Sequence, residues 1–118
     1  IDAGDLEGLT GSQLQEQYPD VMRGWRNDPA SAKMPNGECL GDVQNRTWAV
    51  INDIAQRHED DTVVVVTHNF PIQAILCKAL GMPLNNFRQL RVDLGSITQM
   101  DVRDSVFTML SMNETWHL

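Results

Sequence analysis

The sequence is short of basic residues, of cysteine and of long apolar runs. Nine Lys and Arg stand against sixteen Asp and Glu in 118 residues, a net charge of −7. That deficit argues against nucleic acid or an anionic membrane surface as the main partner. The two cysteines, Cys39 and Cys77, lie far apart with no CxxC or Cys/His spacing, which argues against zinc. Both read as free thiols of a reducing compartment, so a cytoplasmic location is expected. No apolar stretch approaches the length of a membrane span, and nothing resembles a signal peptide. Asp93, Asp101 and Asp104 make no metal-ligand constellation, and Asp2, Asp5 and Glu7 lack calcium-loop spacing, so no metal is expected. What is present suits one globular domain over residues 1–118: 42% hydrophobic and 21% charged residues. Residue 1 is Ile rather than Met, and Ile1-Asp2-Ala3-Gly4 reads like the middle of something. The expectation is a chain processed, truncated or derived from a longer gene.

The rest of the chain is organised around Thr62 to Leu80. Four consecutive valines, Val63 to Val66, end in Thr67, His68 and Asn69, and a helix-like apolar run follows. A β-branched run of this kind fits a strand buried on both faces, as in a parallel sheet with helices on each side. Pro71 suits the first turn of the helix. In open α/β sheets ligands bind at the carboxyl ends of strands, and a helix start offers unpaired N–H groups and a positive dipole end. His68 stands at that junction, and its position argues for chemistry on an anion. The competing reading is a capping or hydrogen-bonded structural histidine.

Taken in order, Ile1 to Gly11 is a glycine-rich loop, and Thr10 or Ser12 caps a short helix through Tyr18. Pro19 opens a second short helix to Arg26. Asn27 to Leu40, with Pro29, Pro35 and Gly37, reads as an ordered surface loop. Gly41 or Asp42 opens the longest helix, to about Arg57, whose inward stripe is Val43, Trp48 or Val50, Ile51, Ile54 and Ala55. Gly81 caps the helix after His68, and Leu84 to Phe87 reads as one helical turn. Ser96 to Val102 and Val106 to Met112 read as an antiparallel hairpin across Arg103-Asp104-Ser105. The order implies an α/β layer arrangement with about three strands, fewer than the usual four to six of a sheet. The valine strand wants a neighbour on each side, and the sequence supplies too few.

Four patches together resemble the histidine phosphatase (phosphoglycerate mutase-like) superfamily. Gly4-Asp5-Leu6-Glu7-Gly8-Leu9-Thr10 is similar to its G-x-W-E-G-x-T segment, with Leu6 for the aromatic. Pro35-Asn36-Gly37-Glu38-Cys39 followed by Arg46 resembles P-x-G-E-S…R. Val65 to Ile75 resembles V-V-S-H-G-G-x-I-R-x-L, with Asn69 and Phe70 for the two glycines and Gln73 for the arginine. Asn113 to Leu118 resembles N-[DE]-x-x-H-L. The resemblance implies a three-layer α/β sandwich with a mostly parallel sheet, here an incomplete phosphoglycerate mutase-like fold.

It also implies phosphoryl transfer from a phosphomonoester, such as a sugar phosphate or phosphoglycerate, through a phosphohistidine and without a cofactor. The family's nucleophile sits in an R-H-G motif, and no R-H-G occurs here. His58 lies in Arg57-His58-Glu59 at a helix end, and His117 belongs to the C-terminal patch. Its general-acid glutamate usually lies just before the position of Ile1. Of the family's catalytic residues only the second histidine maps onto this chain, as His68, with Asn69 beside it to bind phosphate. Glu7, Glu38 and Arg46 read as structural anchors, and Trp25, Trp48 and Trp116 as packing. The expectation is the C-terminal portion of a histidine phosphatase, inactive alone. The alternative is a non-catalytic, self-associating domain derived from that fold. Either way an unpaired edge beside the valine strand invites a homodimer, a swapped assembly or a complex with a separate N-terminal fragment.

Overall fold

A computed structural model describes all 118 residues. Helices dominate: α1 (Gly11–Gln17), α2 (Pro19–Asn27), α3 (Leu40–Arg57) and α4 (Asn69–Ala79). Two short 3-10 helices, Gly4–Leu6 and Leu84–Gln89, complete the helical part. One hairpin follows, β1 (Ile97–Arg103) and β2 (Val106–Glu114).

Local signals account for these boundaries. Thr10 caps α1 by a reciprocal pair of bonds: its hydroxyl accepts from the Gln13 N–H at 3.3 Å, and its own N–H donates to the Gln13 carboxamide at 2.8 Å. Pro19 begins α2. After α4, Gly81 adopts φ +65°; its N–H reaches Lys78 O at 3.3 Å and the Met82 N–H reaches Cys77 O at 2.8 Å. That pair of bonds is a Schellman ending, and it turns the chain into the Leu84–Gln89 helix. The hairpin turns on Asp104 and Ser105, at φ +49° and +63°, the two positive angles of a type I′ turn.

The core is thin. Only 13 of 118 residues are buried, and Leu40, Val43, Leu76, Cys77, Phe87 and Leu90 form its centre. It sits where α3 packs on α4, with the Gln44 carboxamide donating to Ala74 O at 2.9 Å across the contact. Trp25, Phe70 and Phe87 close one end, their ring centroids 5.6–5.9 Å apart. Trp48 of α3 stacks on Phe107 of β2 at 4.6 Å and holds the hairpin to the helical layer.

The expected sheet is the main correction. The α/β character holds, but the one ladder is the two-stranded antiparallel hairpin, not a mostly parallel sheet. Thr62 to Thr67 runs without any strand partner, and none of its backbone groups makes a hydrogen bond. Nor is the valine run buried on both faces. Val63 and Val65 are 43% and 45% exposed, Val64 and Val66 83% and 91%. The composition is that of a central strand, but a ladder forms only when neighbours exist, and this chain offers none beside it.

Candidate functional site

His68 ends the extended segment with φ −120° and ψ +170° and stands as the N-cap of α4. Its side chain is exposed and makes no capping bond. The first turn of α4 reads Asn69, Phe70, Pro71. Pro71 has no N–H, and the Ile72 N–H is taken by His68 O at 3.2 Å. The Asn69 and Phe70 N–H groups have no acceptor, so two backbone donors and the helix dipole face outward beside the imidazole. Phe70 fixes this turn through its edge-on contacts with Trp25 and Phe87, and Pro71 is buried under it.

The other two histidines are occupied. His58 Nδ1 pairs with Asp61 Oδ2 at 2.9 Å, at the end of α3. His117 Nε2 pairs with Gly95 O at 2.9 Å and folds the C-terminal residues onto the loop before β1. Asn113 is structural as well: its carboxamide accepts the Asp93 N–H at 2.7 Å and donates to the Asp93 carboxylate at 3.0 Å.

Glu38 and Arg46 form a two-point ion pair, Nε to Oε1 at 2.7 Å and a second guanidinium nitrogen to Oε2 at 3.1 Å. Glu38 also accepts the Asp2 N–H at 2.9 Å. The Arg46 hydrogen bond, and then the Asp2 N–H, hold the Glu38 carboxyl below the usual carboxylate range. A carboxyl depressed in the folded state adds stability above its unfolded pKa and loses it as pH falls through the folded value. The thermal midpoint should therefore fall on acidification below about pH 4.5. Glu38→Gln should remove part of that slope and cost about 1 kcal/mol at pH 7, because Arg46 is half exposed. A variant with the parent's pH profile would show that the pair contributes nothing.

Arg46 has a second neighbour that the sequence did not announce. It lines a cleft of about 280 Å³ with Thr47, Val65, Thr67 and Pro71, so the cleft ends one residue before His68. Gln73 lies on the buried side of α4, its Nε2 donating to Leu90 O at 2.7 Å and its Oε1 left without a partner. Asn69, the expected phosphate ligand, is exposed beside His68. The structure thus brings together His68, the helix start and the end of the Arg46 cleft, and it sets His58, His117 and Asn113 in structural roles.

The family model of the histidine phosphatase superfamily (branch 1) matches residues 1–115. The chain belongs to the histidine phosphatase superfamily. Among curated relatives, phosphoserine phosphatase 1 of Hydrogenobacter thermophilus is 32% identical over 118 residues, covering 100% of this chain and 56% of its own length. Among solved structures, YhfR of Bacillus stearothermophilus superposes with a TM-score of 0.92 at 25% identity, covering 99% of this chain and 58% of its own. A mycobacterial glucosyl-3-phosphoglycerate phosphatase, solved with inorganic phosphate, shares the fold with a TM-score of 0.80 at 24% identity, over 98% of this chain and 61% of its own. The histidine phosphatase chain described here therefore spans a little over half the length of the relatives it matches. No helix in it is long and apolar enough to cross a membrane.

Proposed function

We propose that this chain forms the C-terminal portion of a phosphomonoester phosphatase that works through a phosphohistidine. His68 would hydrogen-bond the phosphoryl oxygens and stabilise their charge in the transition state, and Asn69 would help bind them with the N–H groups of the first α4 turn. The observation that carries this reading is the unpartnered His68 at a helix start with two free N–H groups. The nucleophile, the general acid and most cationic donors would come from outside these 118 residues. Phosphoserine is one substrate type suggested by the Hydrogenobacter relative's name.

In the complete protein, the valine segment would lie inside a mostly parallel sheet with helices on both faces. A second copy, a swapped assembly or a separate N-terminal fragment would supply its neighbours. The self-associating, non-catalytic alternative rests on the same bare segment, Thr62 to Thr67, whose exposed valines invite pairing between chains.

Inorganic phosphate tests the half-site directly. Titrated into the 118-residue chain, it should shift the His68 ring signals and the Asn69 and Phe70 amides, with a dissociation constant on the order of millimolar. His68→Ala should weaken that binding, and the His58 and His117 signals should stay still. Shifts confined to other residues, or none at all, would remove the phosphate pocket from His68.

A further inference from the structure

We infer that Arg88 selects the substrate: its guanidinium receives a carboxylate carried by the same small phosphomonoester whose phosphate His68 holds. The inference rests on the phosphatase reading above and deepens it by naming the substrate class.

Charge pairing in this acidic chain leaves few cations to meet an anion. Arg23, Lys33, Arg46, Arg57, Arg91 and Arg103 each lie 2.7–3.9 Å from a carboxylate. Of the nine Lys and Arg residues, that leaves Arg26, Lys78 and Arg88. Lys78 stands in the last turn of α4, about 14 Å from the helix start. Arg26 is exposed in the last turn of α2. Arg88 is exposed too, but it is held in place. It donates to Trp25 O at 3.0 Å, and its guanidinium carbon lies 4.7 Å from the Phe87 ring centre and 5.6 Å from that of Trp25.

Those two rings are the ones Phe70 packs against, at 5.9 and 5.6 Å. The chain from Leu84 to Leu90 therefore returns to the His68 end of α4, where Gln73 fastens it by a 2.7 Å bond to Leu90 O. One aromatic cluster thus carries the imidazole two residues before Phe70 and the guanidinium one residue after Phe87. An arginine presents five N–H donors in a planar fork, and Trp25 O takes only one of them here. The rings fix the plane of that fork before a ligand arrives, which suits the two oxygens of a carboxylate.

The probes are 3-phosphoglycerate and glycerol 3-phosphate, which share a three-carbon phosphate and differ in the carboxylate. Each is titrated into the 118-residue chain and followed by the His68 ring and Arg88 Nε signals. Both esters should move His68, and only 3-phosphoglycerate should move Arg88. It should bind about fivefold more tightly, the scale of one exposed charge pair, although the net charge of −7 repels its extra negative charge. Arg88→Gln should abolish that preference while leaving the glycerol 3-phosphate affinity within about twofold of the parent. Arg88→Lys keeps the charge without the fork and should show a smaller preference than the parent, and Arg26→Gln should keep the full preference. Far-ultraviolet circular dichroism checks that each variant folds. A His68 response with equal affinities, an Arg88 signal indifferent to 3-phosphoglycerate, or an Arg88→Gln chain that weakens for both esters alike would overturn this inference alone. Esters that leave His68 unmoved would overturn the phosphatase reading and this inference with it.

Discussion

Gly37→Ala is expected to cost more than about 3 kcal/mol of stability, in the range kept for steric clashes against fixed backbone. A β-carbon at Gly37 would sit 2.5 Å from Asp2 O and 2.8 Å from the Gly4 nitrogen. Neither neighbour is the free end of a side chain. The Glu38 N–H donates to Asp2 O and the Asp5 N–H to Pro35 O, each at 2.9 Å, so the two strips of chain are bonded together on both sides of the glycine. Relief would break those bonds and move Asp2 away from Glu38, loosening the Arg46 pair as well. Gly4 is the other half of the clasp: at φ +53° its added carbon would strike Pro35 O. Gly11→Ala is the control, since nothing lies within 4 Å of its added carbon at the start of α1. Urea denaturation of the three proteins measures the difference. A Gly37→Ala chain within about 0.5 kcal/mol of the parent would mean that the clasp yields, and that the two glycine patches are not a structural unit.

The contrast between that clasp and α1 explains what was legible in the sequence. Helices carry their instructions locally. Thr10 with Gln13, Pro19, the apolar stripe of α3, Pro71 and Gly81 each act within a turn or two of themselves, and each element formed within one or two residues of its expected bounds. The turn at Asp104-Ser105 is equally local. The Gly4–Gly37 approach joins residues more than thirty positions apart, and periodicity does not reveal such a contact. That Arg46 lines a cleft ending at Thr67 is also invisible to spacing, because it depends on how α3 lies beside the extended segment. The valine run departs from its expected burial for a related reason. Its composition states what surroundings it suits, buried on both faces, whereas its actual exposure depends on which strands are there to pair with it. The helix start at His68 is legible because it is written in adjacent residues, whereas the strand expected before it does not form.

The 118-residue chain by itself is expected to hydrolyse p-nitrophenyl phosphate no faster than buffer, at least on the order of 10⁴-fold below a complete histidine phosphatase. A phosphoryl group in transfer needs a nucleophile in line behind it and several donors around its oxygens. Neither His58 nor His117 is free to serve, the first paired to Asp61 and the second to Gly95. Arg46, which lines the cleft beside Thr67, spends its guanidinium on Glu38. His68 and two backbone N–H groups can hold an anion, but they offer nothing positioned to attack phosphorus from the opposite side. Stabilising charge without a nucleophile lowers no barrier that the chain can cross. The measurement is a turnover assay on the purified chain beside His68→Ala, at a protein concentration high enough to detect one turnover per hour. Equal, background rates are the expected result. Steady turnover that His68→Ala abolishes would place the nucleophile within these residues and make His68 itself the first candidate for it.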